Sequence, residues 1–189
     1  ALAIIWRNAL AMLARHVQLG LLFGCRVVQT MMRLALGPII VYVCEDEAMQ
    51  CTASTRASLL SAFSLGYILT QVAGGALADR IGPSNVILLA MILAALCTFA
   101  SGAAPTVEML WLAQVITGAA QGPLFPTSVS YLSRWLPSQE RALGATLLDA
   151  GTTAGSLVAL PSSGRLAAAL GWRWTLHAWG VATLVHAVV

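Results

Sequence analysis

Long apolar stretches alternate with short polar breaks along almost the whole chain. The breaks carry acidic residues, proline or glycine, as in Glu45–Glu47 and Pro137–Arg141. A helix that crosses a bilayer needs about 20 mostly apolar residues, and the stretches between the breaks are about that long. The pattern predicts an all-α integral membrane protein with six transmembrane helices. The predicted spans are 19–43, 57–78, 86–104, 108–132, 142–164 and 173–189.

The apolar stretches also repeat one another at a fixed distance. Two independent sets of residues recur 88 or 89 positions later, which indicates duplication of a three-helix unit, as in transporters built from 3+3 inverted repeats. We expect an N-terminal segment at 1–18, a first three-helix repeat at 19–104 and a second, incomplete at its C-terminus, at 105–189. The recurring pairs are Gly66 and Gly155, Gly75 and Gly164, Gly82 and Gly171, Arg26 and Gln114, Gln29 and Thr117, and Arg33 and Gln121.

The composition agrees with a membrane location. The 189 residues are 59% hydrophobic and 9% charged, which leaves too few polar groups to cover a water-soluble globule. The net charge of +3 comes without a basic run or an aromatic–basic motif, so we expect no nucleic acid partner. The four cysteines lack zinc spacing, and no phosphate-binding glycine loop occurs. We therefore expect no metal, no cofactor and no enzymatic activity.

The ends of the chain allow several interpretations. The arginines weakly favour a cytoplasmic N terminus, with five on the inner side against three on the outer side. Residues 1–14 fit a presequence, an extension of the first helix or a surface helix. Val189 lies inside the sixth predicted span and residue 1 is not methionine, so we expect a fragment of a longer protein. Cys44 and Cys51 could form a disulfide on the outer side, but we expect them to remain unpaired.

The first predicted span carries two arginines. Seven residues turn a helix by about 700°, so Arg26 and Arg33 share one face, with Gln29 and Thr30 near it. An arginine near the bilayer centre costs about 2.5–3.5 kcal/mol, so this stripe should face an aqueous cavity or a partner. Arg33 is the stronger ligand candidate. Arg26 is either a ligand or a residue that snorkels or pairs with an acid.

Polar residues of other predicted spans could line the same cavity. Two arginines and one acid suit an anion better than a cation, so we expect a small anionic solute. Asp149 has two open interpretations, as a salt-bridge partner of Arg33 or as an ion-coupling residue. The GxxxG pairs that begin at Gly118 and Gly151 are expected to serve helix packing. The other candidate ligands are Gln29, Tyr67, Gln114, Gln121, Thr152 and Thr153.

The segment Gly75–Gly82 resembles the signature loop between the second and third spans of the major facilitator superfamily. In that family the motif stabilises one conformational state through its aspartate and arginine. The resemblance therefore implies gating roles for Asp79 and Arg80, and for the glycines Gly75 and Gly82 that frame them. The two residues after Gly82 are not the basic pair usual in the family.

Further segments resemble the anion:cation symporter branch of that superfamily, which includes sialin, vesicular glutamate transporters, type I sodium-phosphate carriers and plastid anion transporters. The resemblance implies the N-terminal six-helix half of the family fold. It implies that Arg33 contacts the anion and that Tyr67 is a cavity ligand. Arg134, Glu140 and Arg141 match the loop after the fourth span and are expected to gate. The matching segments are 66–71, 74–75, 121–126, 134–141, 160–164 and 171–172.

The chain departs from this branch at positions linked to proton coupling. Relatives usually have glutamate at the position of Gln121, and several bacterial members have aspartate at the position of Met32. A glutamine cannot titrate, so the usual coupling through this half is not expected. Asp149 is the candidate replacement.

These features favour a secondary active transporter of a small organic anion or inorganic phosphate that works by alternating access. The alternatives are a sugar or neutral-solute carrier, a half-size membrane protein that does not transport, and an intramembrane protease that uses Ser162 or Ser163. Expected partners are the solute, a coupling Na⁺ or H⁺, the lipid bilayer and a C-terminal six-helix half. We expect the host to be a plasma, vesicular, lysosomal or plastid-envelope membrane.

Overall fold

The computed structural model describes residues 2–188, with side chains from residue 13 onward. Those residues form a helical bundle of α1 (Leu2–Glu45), a 3₁₀-helix (Glu47–Met49), α2 (Ala53–Ile81), α3 (Pro83–Ala103), α4 (Val107–Gln121), α5 (Leu124–Trp135), α6 (Arg141–Leu170) and α7 (Trp172–Val188). Four described stretches are long and apolar enough to cross a membrane, namely Leu13–Glu45, Ala53–Ile81, Pro83–Ala103 and Arg141–Leu170. The main apolar core joins α1 to α3, α4 and α7.

The predicted span at 108–132 consists of two helices. Gly122 and Pro123 separate α4 from α5. Proline has no backbone N–H, and its ring collides with the carbonyl of the residue four positions earlier, so a helix kinks or breaks there. Counted together as one kinked span, α4 and α5 give the six spans that the hydrophobic pattern predicts.

A threonine of the neighbouring helix compensates for this break. Pro123 cannot donate a hydrogen bond to the carbonyl of Ala119, four residues earlier. The hydroxyl of Thr70 in α2 donates to that oxygen instead, at 2.8 Å. Gly122 leaves room for this contact, because a Cβ there would collide with the Thr70 hydroxyl.

The connections between some helices are shorter than the polar breaks predict. The helix α2 continues through Asp79 and Arg80 to Ile81, and Gly82 alone separates it from α3. Gly82 has a φ of +88°, a left-handed conformation that favours glycine, and its N–H donates to the carbonyl of Ala78 at 3.0 Å. Of the three interpretations of the first 14 residues, an extension of the first helix fits, since α1 begins at Leu2.

Glycines of the repeat make equivalent contacts in the two halves of the bundle. A Cβ at Gly155 of α6 would lie 2.6 Å from the carbonyl oxygen of Val27 in α1. A Cβ at Gly66 of α2 would collide with the carbonyl oxygen of Val115 in α4. The two contacts are related by the same offset of 88 or 89 residues as the sequence pattern. The expected packing role of the GxxxG glycines is confirmed at Gly155 and at its partner Gly151, which lies against Phe23.

The short segment between α1 and α2 is tied to the start of α7 and the end of α3. Cys44 and Cys51 form a disulfide, so the expectation that they remain unpaired is wrong. Between them, Asp46 accepts hydrogen bonds from Trp172 Nε1 and Arg173 Nη2, both at 3.2 Å. Arg173 also donates to the last carbonyls of α3, including that of Ala104 at 2.6 Å.

Candidate functional site

The polar stripe of α1 is present, but its two arginines have different environments. Arg26 is buried, with 8% of its surface exposed, whereas Arg33 is exposed. The two side chains point to different neighbours. Arg33 lies beside α2, and Arg26 lies between α1, α5 and α6.

Arg33 lies over two aromatic rings of α2. Its Cζ atom is 5.7 Å from the ring centre of Phe63 and 5.6 Å from that of Tyr67. The rings stack on each other with centres 5.8 Å apart, which gives the guanidinium a flat, rigid support. No acid lies within salt-bridge distance of Arg33 in the described part of the chain. Its hydrogen-bond donors are therefore available to an anion.

Arg26 is held by neutral groups. Its Nη1 donates to the side-chain oxygen of Gln29, and its Nη2 donates to the hydroxyl of Thr152 at 3.1 Å. The ring of Phe125 lies 5.3 Å from its Cζ atom. Its Nε is buried without a hydrogen-bond partner. The guanidinium is thus fixed in position while its charge has no ion-pair partner.

Asp149 and Thr153 lie on the exposed face of α6, next to the half-buried Thr152. Asp149 forms no salt bridge with Arg33, since the ion pair found among residues 13–188 joins Arg173 to Asp46. The Asp149 charge attracts Arg26 without direct contact. The first interpretation of Asp149, as a direct partner of Arg33, therefore has no support in this conformation.

The two glutamines expected in the cavity lie in the packed interior. Gln114 donates to the Ser101 hydroxyl of α3 at 3.2 Å. Gln121 has no exposed surface, and its amide nitrogen lies 4.0 Å from the sulfur of Met32. Its side-chain oxygen has no hydrogen-bond partner. The family resemblance places acids at Met32 and Gln121, and the structure brings these two positions together.

The expected gating residues gather at the end of the bundle where α2 and α5 end and α3 and α6 begin. Asp79, Arg80, Arg134 and Glu140 are exposed there, and none of them is in a salt bridge in the described chain. Arg141 donates to the carbonyls at the end of α5, that of Ser133 at 2.9 Å and that of Leu136 at 3.3 Å. The remaining two are Gly75, with open space at its Cβ position, and Gly82, the connection described above.

The serines considered for a protease have ordinary structural contacts. Ser163 is buried and accepts a hydrogen bond from Trp179 Nε1 at 3.0 Å. Ser162 donates to the carbonyl of Val158 in its own helix. Neither contacts His177 or His186 by a hydrogen bond. These contacts give no nucleophile–base pair.

Two aromatic residues of the site were missed in the sequence. Phe63 lies one helical turn before Tyr67, and this spacing of four could have revealed the ring pair. Phe125 had no comparable signal, because its position over Arg26 depends on the break at Gly122 and Pro123.

Comparison with known proteins identifies the family. The family model described as Major Facilitator Superfamily matches residues 19–189. The chain belongs to this superfamily. The superfamily and the relatives found are transporters, which are not enzymes. The apolar helices of this chain make it an integral, multi-pass membrane protein.

Several curated relatives of this chain are named as anion transporters. Probable anion transporter 7 of Oryza sativa subsp. japonica is 33% identical over 152 residues, covering 78% of this chain and 34% of the relative. A probable sulfoacetate transporter of Cupriavidus necator is 28% identical over 138 residues, covering 73% and 32%. A voltage-gated purine nucleotide uniporter of Mus musculus is 31% identical over 172 residues, covering 82% and 38%. The resemblance to the anion:cation symporter branch is thereby supported.

The chain spans about a third of the length of the curated relatives it matches. Its 189 residues fit half of a major facilitator fold.

Proposed function

We propose that the chain is the N-terminal half of a secondary active transporter that moves a small organic anion or inorganic phosphate by alternating access. One observation carries this proposal. Two arginines share a face of α1, and neither has an acid within salt-bridge distance in the described residues. Unpaired guanidinium groups are expensive within a membrane unless an anion or water can reach them.

Arg33 is the principal anion contact in this proposal. Its guanidinium is exposed, lies against Phe63 and Tyr67, and keeps its donors free. Names of relatives such as the rice anion transporter favour an anionic solute in general terms.

Replacing Arg33 by alanine in the full-length protein tests the proposal. Uptake of the transported anion into proteoliposomes should fall about tenfold or more, because a hydrogen-bonded charge pair is lost. The amount of protein in the membrane should stay the same, since Arg33 is exposed and makes no salt bridge. The matched control is Arg165→Gln, which removes an exposed arginine of α6 outside the site. Unchanged uptake by the Arg33→Ala variant would contradict the proposal that Arg33 contacts the transported anion.

The same assay separates the competing functions. Inhibition by uncharged sugars but not by phosphate or carboxylates would indicate a neutral-solute carrier. Absence of any uptake would favour a membrane protein that does not transport.

Asp149 is proposed as the ion-coupling residue. It lies on the exposed face of α6, and its charge attracts Arg26. Binding of H⁺ or Na⁺ to Asp149 would weaken that attraction and make Arg26 more available to the anion, which links the two binding events. Asp149→Asn should therefore transport without dependence on a pH or Na⁺ gradient. A variant that keeps the gradient dependence of the native protein would show that coupling resides elsewhere.

The C-terminal half is the proposed partner of this chain. Large apolar side chains of α2 and α6 are exposed beside the site, among them Val72 at 89% and Leu157 at 73%. A second six-helix unit that closes the cavity would cover such a surface.

A further inference from the structure

Arg26 differs from a snorkelling or salt-bridged arginine. A snorkelling side chain keeps its head in water, yet Arg26 has only 8% of its surface exposed. A salt-bridged one has an acid within 4.0 Å, and none of the described residues provides it. Both structural interpretations of Arg26 raised by the sequence are therefore disfavoured.

The surroundings of Arg26 instead fix the direction of its guanidinium. Arginine has five N–H donors. Gln29 and Thr152 each accept from one terminal nitrogen, while Nε has no partner. The Phe125 ring covers the head from the side of α5. A buried, oriented cation with unused donors is a preorganised anion contact.

A groove on α6 reaches Thr152, which is hydrogen-bonded to Arg26. It has a volume of about 380 Å³ and is lined by Thr152, Thr153, Ser156 and neighbouring apolar residues. Thr152 thus separates the groove from the Arg26 head to which it is hydrogen-bonded. An anionic group that enters the groove can replace the Thr152 hydroxyl as the partner of Nη2.

The two arginines are separated along α1. Seven residues correspond to a rise of about 10 Å, and the two positive charges repel each other. Tyr67 of α2 lies under Arg33, whereas Arg26 lies beside Phe125 of α5. Two separated guanidinium groups match one molecule with two anionic groups better than they match one small anion.

We propose that Arg26, with Gln29 and Thr152, forms a second anion subsite, and that the carrier prefers substrates with two separated anionic groups. Arg33 holds one group and Arg26 holds the other. This inference rests on the proposed function and adds the substrate class. Asp149 is the acid that attracts Arg26, so a bound anionic group and Asp149 compete for the same charge.

Matched pairs of anions test the subsite. The probes are succinate and its monomethyl ester, and sulfoacetate and its methyl ester, which differ within each pair by one charge. For each probe, we would measure the constant for inhibition of uptake of the transported anion by the full-length protein. The dianion of at least one pair should bind about tenfold more tightly than the monoanion, which corresponds to one added charge-assisted hydrogen-bond contact. Arg26→Gln should reduce that ratio to near one while monoanion binding persists.

Further variants distinguish a binding role from a structural one. Arg26→Lys keeps the charge and should retain part of the preference, and Arg165→Gln should retain all of it. If Arg26 were only structural, Arg26→Gln would weaken binding of the dianion and of the monoanion equally. Alternatively, it would lower the amount of folded protein without changing the ratio of the two affinities. Either result, or equal binding within both pairs, overturns the proposal. If Arg33→Ala changed neither uptake nor binding of any anion, the proposed function itself would be overturned.

Discussion

Asp46 shows how a single side chain joins distant parts of the bundle. It follows α1 directly, and it contacts Trp172 and Arg173 at the start of α7. Arg173 lies with its Cζ atom 4.2 Å from the Trp172 ring centre and also binds the end of α3. Asp46 and Arg173 together therefore connect the ends of three helices.

The environment of Asp46 lowers its pKa. Partial burial acts in the opposite direction, but the Ala48 N–H, the Trp172 N–H and the Arg173 charge together bring the pKa below the ordinary value of 3.8. A carboxylate whose pKa is lower in the folded state stabilises the fold above its unfolded pKa, and the contribution is lost as the pH falls through the folded value.

Asp46→Asn should lower the thermal stability of the purified protein near pH 7, by up to about 1 kcal/mol because the ion pair is partly exposed. The difference between native and variant protein should shrink as the pH falls below about 4. Thermal unfolding at several pH values measures this difference. Glu47→Gln, in the same short segment, is the control and should change little. A stability difference that stays constant down to pH 3 would show that the Asp46 charge does not stabilise the fold.

At the scale of the element, the kinked span of α4 and α5 depends on a neighbour. Pro123 removes the donor for the Ala119 carbonyl, and Thr70 of α2 replaces it. A buried acceptor without a partner costs about 1–3 kcal/mol. The position of the kink is thereby tied to the packing of α2 against α4.

A double-mutant cycle measures this compensation. Thr70→Val should reduce the free energy of unfolding by about 1–3 kcal/mol in the native background, because the Ala119 carbonyl loses its donor. In the Pro123→Ala background the loss should be smaller, since an alanine N–H can bond to that carbonyl. Thr146→Val is the control, because the exposed Thr146 hydroxyl bonds only within its own helix. Equal losses in both backgrounds would show that Thr70 and Pro123 are independent.

At the scale of the whole molecule, the sequence predicted most of the fold because its signals are local. Span length and the glycines at 82 and 171 are visible within short windows. The same local reasoning placed Arg26 and Arg33 on one face of α1. The division into repeats at 19–104 and 105–189 stays a prediction.

The contacts that were not foreseen join residues far apart in the chain. Asp46 and Arg173 are 127 positions apart, and Arg26 and Thr152 are 126 apart. Helical periodicity places a residue on a face but does not determine which helix covers that face. For this reason Gln114 and Gln121 were expected in the cavity, while the packing of α4 against α1 and α3 buries them.

The two single-glycine connections have a mechanical consequence. Gly82 joins α2 to α3, and Gly171 joins α6 to α7, each with a left-handed backbone and no further connecting residue. Such a junction contains no flexible connecting residues. A tilt of α2 should therefore also tilt α3, and a tilt of α6 should also tilt α7. In the transporter proposed above, each hairpin should therefore move as one unit.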